Sequence, residues 1–146
     1  MMKVKFKKLS TTAGIPSRGS EQAAGWDLYI DSIEPVPIQP HETKMIGTGI
    51  AIELPENTFG AVYPRSGLST KQGIILANTV GIIDSDYRGE VKIALHNRTD
   101  ETVILNPMER VAQLIVTPYV PVELERVEDL SDTDRGSGGF GSTGRN

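Results

Sequence analysis

Gly49-Ile50-Ala51-Ile52-Glu53-Leu54 sets its large apolar side chains on alternate residues, so Ile50, Ile52 and Leu54 share one face of an extended chain. A break follows at Pro55-Glu56-Asn57, and Thr58 to Tyr63 reads as a second strand. The same period of two returns at Val91, Ile93 and Leu95, which alternate with Lys92, Ala94 and His96. Glu101 to Leu105 reads as a further strand, and Val111 to Val116 is apolar almost throughout, interrupted by Gln113. Asn97-Arg98-Thr99-Asp100 and Asn106-Pro107 separate these runs at intervals typical of a sandwich or barrel. Near the start, lysines alternate with Val4, Phe6 and Leu9, again in strand rhythm. Ile and Val total 25 against 10 Leu, with 9 Pro and 15 Gly as punctuation, so short β-branched strands dominate. The one helix candidate is Ser66 to Lys71. The expectation is an all-β, mostly antiparallel domain with one very short helix.

At 146 residues the chain is one domain's worth, and roughly 70% of the unfolded surface is buried at this size, enough for a core without staples. Residues 1–122 read as the β domain. From Glu123 to Asp134 there are six acids and one Arg, and a Gly-rich arm follows to residue 146. The formal charge of −4 argues against a general nucleic-acid binder held by phosphate contacts. An anion would have to meet a local donor cluster or arrive with a divalent cation. The chain has no Cys, which removes thiol catalysis, disulfides and zinc–thiolate sites. His41 and His96 are too few for a histidine-rich metal site, and their loop and strand contexts do not suit a Ser-His-Asp triad. No apolar run is long enough for a signal peptide or a membrane span, so the expected setting is cytoplasmic, without a membrane partner.

Four segments can carry chemistry. Ile82-Ile83-Asp84-Ser85-Asp86-Tyr87-Arg88-Gly89-Glu90 reads either as a polar hairpin turn or as a carboxylate held against an apolar floor. In the second case Asp84 acts as a general base or positions a hydrated metal, with Tyr87 as a flat surface for a sugar or base. Pro64-Arg65-Ser66-Gly67-Leu68-Ser69 is a capped helix start or, with its Arg, hydroxyl and first-turn amides, an anion site. In Ala24-Gly25-Trp26-Asp27-Leu28 the Gly and Asp suit a turn and the lone Trp suits the core. Gln113 needs a hydrogen-bonding partner from protein or ligand. The arm, Arg135-Gly-Ser-Gly-Gly-Phe140-Gly-Ser-Thr-Gly144, is a solvated terminus or a segment that orders over bound ligand. Its likeness to a phosphate-binding P-loop fails, because Ser142 stands where Lys is needed and no helix can follow.

Taken together and in order, these segments, with Gly81 opening the third and Arg110-Val-Ala-Gln113-Leu-Ile115 as the fourth, resemble the five motifs of the trimeric dUTPase family across residues 20 to 144. The resemblance implies an antiparallel β jelly roll, a homotrimer with active sites at subunit interfaces, and hydrolysis of dUTP to dUMP and pyrophosphate. That activity limits uracil incorporation into DNA and supplies dUMP for dTMP synthesis. It implies that Asp84 activates the water that attacks the α-phosphorus in line, and that the Tyr87 ring packs on deoxyribose. Asn78 and the hairpin from Gly81 would read uracil, and Arg65, Ser66, Gly67 and Gln113 would line the phosphates. Arg135 would meet the γ-phosphate and Phe140 would stack on uracil. Gly141, Ser142 and Thr143 would donate to phosphate as the arm closes, and Asp27 would support the site without touching substrate. Mg2+ is implied as a companion of the triphosphate, held mostly by phosphate and water.

Trp26 stands where the family commonly has Tyr or Phe, and Ser69 where a small apolar residue or Gly is common. Both bear on packing. A dCTP deaminase of related fold uses a Glu ten residues after the position of Asp84, where this chain has Ala94. A nucleotide-responsive regulator with a protein partner is the reading from another class. It would be favoured by loss of Asp84 or of the arm motif, and both are present.

Overall fold

The computed structural model describes residues 3–139, and the alternation seen in the sequence becomes the inward faces of its long strands. The ten strands are β1 (Lys5–Lys8), β2 (Trp26–Tyr29), β3 (Val36–Ile38), β4 (Thr43–Glu53), β5 (Thr58–Pro64), β6 (Ile74–Leu76), β7 (Gly81–Ile83), β8 (Glu90–Asn97), β9 (Val103–Leu105) and β10 (Arg110–Pro118). One helix, α1 (Ser66–Lys71), follows β5. There are two four-stranded sheets, ordered β1-β4-β8-β6 and β2-β10-β5-β7, and a separate β3-β9 pair, and every pairing is antiparallel. The expected all-β jelly roll with one short helix is what forms.

Ile46, Ile50 and Ile52 of β4 and Val91, Ile93 and Leu95 of β8 meet Leu28, Val62, Val111 and Leu114 of the other sheet in one core. Leu68 alone of α1 is buried in it, which is how a six-residue helix is held. Asn97 ends β8 fully buried, donating from Nδ2 to the carbonyls of Ile38 (3.0 Å) and Glu101 (2.7 Å). Its Oδ1 accepts from Thr99 N–H and Oγ1 at 3.0 and 2.8 Å. This claims Glu101 for the turn, so β9 starts at Val103, two residues after the sequence reading places it.

Four local expectations change. Residues 26–29 form β2, because pairing with β10 overrides the turn preference of Gly25 and Asp27. Trp26 is 44% exposed, with the Arg18 guanidinium 5.2 Å from its ring, not a core residue. The stretch from Asp84 to Gly89 is a crossover between sheets, since β7 pairs with β5 and β8 with β4 and β6. The turn after β6 is likewise a crossover, so the hairpin expected beyond Asn78 is not a paired one. Residues 119–137 are exposed and form no strand, and the chain leaves the barrel after Tyr119, whose N–H still donates to Asn57 C=O at 3.1 Å.

Replacing Asn97 by Ala removes four hydrogen bonds at once, the buried one to Ile38 C=O among them. At fixed protein concentration, Asn97→Ala is expected to lower stability by about 2–4 kcal/mol, read as a shift of the urea midpoint at constant slope.

Candidate active site

The candidate residues fall in three places. The first group flanks β7. The turn at 77–80 is tight, with Thr79 at a φ of +60° and its N–H donating to Leu76 C=O at 3.2 Å. Exposed Asn78 stands over the strand's start, its Nδ2 3.5 Å from where a Cβ on Gly81 would sit. Asp84 follows the strand's end and is exposed, as is Asp86. Neither carboxylate has a hydrogen-bond or ion-pair partner among the described residues. Asp84 lines two cavities. One, of about 550 Å³, is walled by Thr58, Phe59 and Tyr119. The other, of about 270 Å³, is walled by Met45, Ile82, Tyr87 and Lys92. Asp84 and Tyr87 therefore share a wall, and Ile82, Ile83 and Met45 give it an apolar floor.

Tyr87 is fixed from both ends. Its N–H donates to Asp84 C=O at 3.2 Å and its Oη to Glu90 C=O at 2.9 Å. The ring lies so close over Gly89 that a Cβ there would be 2.4 Å from Oη and 2.6 Å from Cζ. Only glycine permits that approach.

The second group gathers where β2, β10 and the start of α1 meet. Asp27 is 7% exposed, and both of its oxygens are taken. Arg65 Nε donates to Oδ1 at 2.8 Å and Arg110 Nη1 to Oδ2 at 3.1 Å. Register supplies this: Gln113 of β10 sits opposite Asp27 of β2, and Arg110 opposite Tyr29. Gln113 Nε2 donates to Pro64 C=O at 3.0 Å, and its Oε1 lies 2.6 Å from where Gly25 would carry a Cβ. Arg65 is the N-cap of α1 in extended conformation, without a side-chain cap. Ser66 and Gly67 are exposed, and their first-turn N–H groups lack helical acceptors. This corner is a cationic, donor-rich surface around one neutralised carboxylate. Arg110 is the residue to which sequence reasoning gave no role. The spacing Arg110-x-x-Gln113 is plain in the chain, but the pairing of Arg110 with Asp27 depends on a register that the sequence alone does not reveal.

The third group is the arm. Arg135 is exposed, and its C=O accepts from Gly138 N–H at 3.0 Å. Phe140, Gly141, Ser142 and Thr143 lie outside the described residues.

Within one chain Asp84 does not converge with the second group, although Gly81, at the other end of β7, pairs with Val62 near it. Ile83 pairs with Gly60 and Asp84 shares a cavity with Thr58 and Phe59, while Arg65 follows Pro64 at the far end of β5. Six residues of strand separate those ends, roughly 20 Å at 3.3 Å per residue. The Arg65 guanidinium is also turned across β10 onto β2, away from β7.

The dUTPase family model matches residues 11–144. The chain belongs to the dUTPase family. A deoxyuridine 5'-triphosphate nucleotidohydrolase of Nautilia profundicola is 51% identical over 144 residues, covering 99% of this chain and all of that one. One from Clostridioides difficile is 49% identical, with 99% of each chain covered. Among solved structures, a Staphylococcus bacteriophage 80alpha dUTPase with dUpNHpp superposes with a TM-score of 0.89 at 28% identity, over 99% of both chains. A mutant dUTPase of the Staphylococcus aureus phage phi11, described with a structural Mg(II) ion, gives 0.81 at 25% identity, over 90% of this chain and all of that one.

Removing the charge of Asp27 leaves two guanidinium groups facing each other without their anion. Asp27→Asn is expected to cost about 2–3 kcal/mol in urea unfolding, and Arg110→Ala less, because Arg110 is half exposed.

Proposed function

We propose that this chain is a dUTP diphosphatase that works as a homotrimer, with Asp84 as its general base. The observation that carries the assignment of the base is the contrast between two carboxylates. Asp27 is fully engaged by Arg65 and Arg110, whereas Asp84 is exposed, unpartnered and in one cavity wall with Tyr87. A base must be free to take a proton from water, and Asp84 meets that requirement where Asp27 does not. Family membership supplies the substrate class: its curated relatives at 39–51% identity act on deoxyuridine triphosphate, as their names state.

In this reading the water held by Asp84 attacks the α-phosphorus in line with the departing pyrophosphate, and Asp84 accepts the proton as the new P–O bond forms. The Tyr87 ring, flattened over Gly89, packs on the deoxyribose and leaves no room for a 2'-hydroxyl. Asn78 and the backbone from Gly81 read the uracil edge. Arg65, Ser66, Gly67 and Gln113 take the phosphates, and Asp27 keeps Arg65 aimed without touching substrate. Arg135 and the Phe140–Thr143 segment close over the nucleotide.

Mg2+ enters with the substrate as the magnesium complex of the triphosphate. The donor set suits that: among the described residues no three His, Asp or Glu side chains converge, while Asp84 and Asp86 are free to meet a hydrated ion through its waters. The complex also brings a polyanion to a protein of charge −4.

The 20 Å gap along β5 supports the trimer. A triphosphate whose α-phosphorus sits at Asp84 does not reach the same chain's Arg65, so the phosphate corner comes from a second copy. The exposed linker is long enough to carry the arm to a neighbour.

Pyrophosphate release from dUTP, dCTP, dTTP and UTP with Mg2+, beside Asp84→Asn, tests the reading. Turnover of dUTP alone, falling by about 10²–10⁴ in the variant, is the expected result. Hydrolysis undiminished in Asp84→Asn removes Asp84 as the base, and ammonia release from dCTP replaces the reaction with deamination. Gly89→Ala should push the Tyr87 ring into the sugar's space, raising KM for dUTP at least about tenfold, with each 1.4 kcal/mol of lost contact a factor of ten.

A further inference from the structure

The crossover from β7 to β8 carries both Asp84 and Tyr87, yet few bonds of its own backbone hold it. The 84–87 turn closes on the long 3.2 Å bond from Tyr87 N–H to Asp84 C=O. Arg88 adds what the backbone lacks. Its Nη1 donates to Ser85 C=O at 2.7 Å and to Tyr87 C=O at 3.0 Å, fastening the 85–86 and 87–88 peptides that bracket Asp86 and Tyr87. Arg88 is absent from the walls of both cavities that Asp84 lines. It lines a separate cavity of about 340 Å³ with Lys5, Phe6, Lys7, Ile52 and Glu53. Glu53, the anion in that wall, is already engaged by Lys5 at 2.7 Å, and Arg88 spends its short bonds on the turn.

We infer that Arg88 is a positioning residue for hydrolysis, a clamp that holds the Asp84–Tyr87 turn in its reactive shape from outside the cavities that Asp84 lines. The inference rests on the assignment of Asp84 as the base. Arg88 is exposed and buries no core surface, so its loss leaves the fold standing and loosens only this turn. A base displaced by about 1 Å can lose about a hundredfold in rate while the substrate still binds, because binding is spread over other contacts.

The test compares wild type, Arg88→Ala and Arg88→Lys with Mg·dUTP, together with hydrogen exchange of the backbone amides. Arg88→Ala should lower kcat by about 10- to 100-fold with KM within threefold and an unchanged melting temperature. Amides of residues 84–90 should exchange faster and those of β4 and β8 should not. Arg88→Lys, which retains an N–H donor, should recover most of the rate. Wild-type kcat in Arg88→Ala overturns the clamp. A rise in KM alone overturns it too, assigning Arg88 to substrate contact, and a melting temperature that falls in step with kcat assigns it to the fold. If the wild type does not turn over dUTP, the assignment of Asp84 fails, whereas unchanged exchange at 84–90 fails the clamp by itself.

Discussion

The buried carboxylate of Asp27 and its two guanidinium partners form the constraint on which the phosphate corner depends. Asp27 comes from β2, Arg110 from β10 and Arg65 from the junction of β5 with α1, so one small anion ties three elements that are far apart in sequence. Such a pair is not mainly a source of net stability, because desolvating the ions offsets much of their attraction. What it gives is geometry. Arg65 is held at the N-cap of a helix too short to stand alone, and Ser66 and Gly67 are presented outward with it. Gln113, one strand over, adds the second fastening through Pro64 C=O, and Gly25 is bare so that the amide can lie against it.

The strand that ends at this corner also sets the spacing of the chemistry. β5 pairs with β7 along Gly60 to Val62 and with β10 along its whole length. Asp84, the proposed base, therefore sits beyond one end of β5, and Arg65 with the first turn of α1, the proposed phosphate donors, beyond the other. A single jelly roll holds both rigidly and apart, since neither end can move without breaking a ladder in the middle of a sheet. Distance in the monomer thus becomes an argument about assembly: the geometry that keeps Asp84 from its own Arg65 leaves each end exposed for a neighbour.

The long alternating strands were legible because a period of two states its own answer. Ile50, Ile52, Val91, Ile93 and Leu95 point inward, as their spacing requires. The helix at Ser66–Lys71 was legible too. The short elements were not. β2 contains Trp26 and Asp27 after Gly25, a turn-like composition that only the cross-strand partners on β10 convert to strand. Trp26 reads as core by size, yet it lies at a sheet edge where Arg18 covers its face. The candidate residues were legible through resemblance, and their local chemistry only in part. Nothing in the spacing says that Asp27 spends both oxygens on arginines or that Arg88 turns back on the loop before it, since both depend on register and turn geometry.

Charge explains how an acidic chain can handle a polyanion. The six acids of the 123–134 linker lie outside the barrel, so much of the negative charge is kept on a segment that leaves the fold after Tyr119. At the phosphate corner, two guanidinium groups share one carboxylate, which leaves the cluster one positive charge in excess, and the first-turn N–H groups of α1 add fixed partial charge beside it. Interactions over a cleft act within about 8–10 Å at ordinary ionic strength, so a substrate phosphate responds to that local excess more than to the protein's total. At the proposed base the order is reversed: Asp84 and Asp86 are unpartnered among the described residues, and Lys92 in the same wall is paired with Glu90. That suits a base, and it leaves the triphosphate dependent on its own cation to approach. The two ends of β5 thus have opposite electrostatics, and a nucleotide bridging copies of the chain would place its phosphate tail at the positive end and its scissile bond at the negative one.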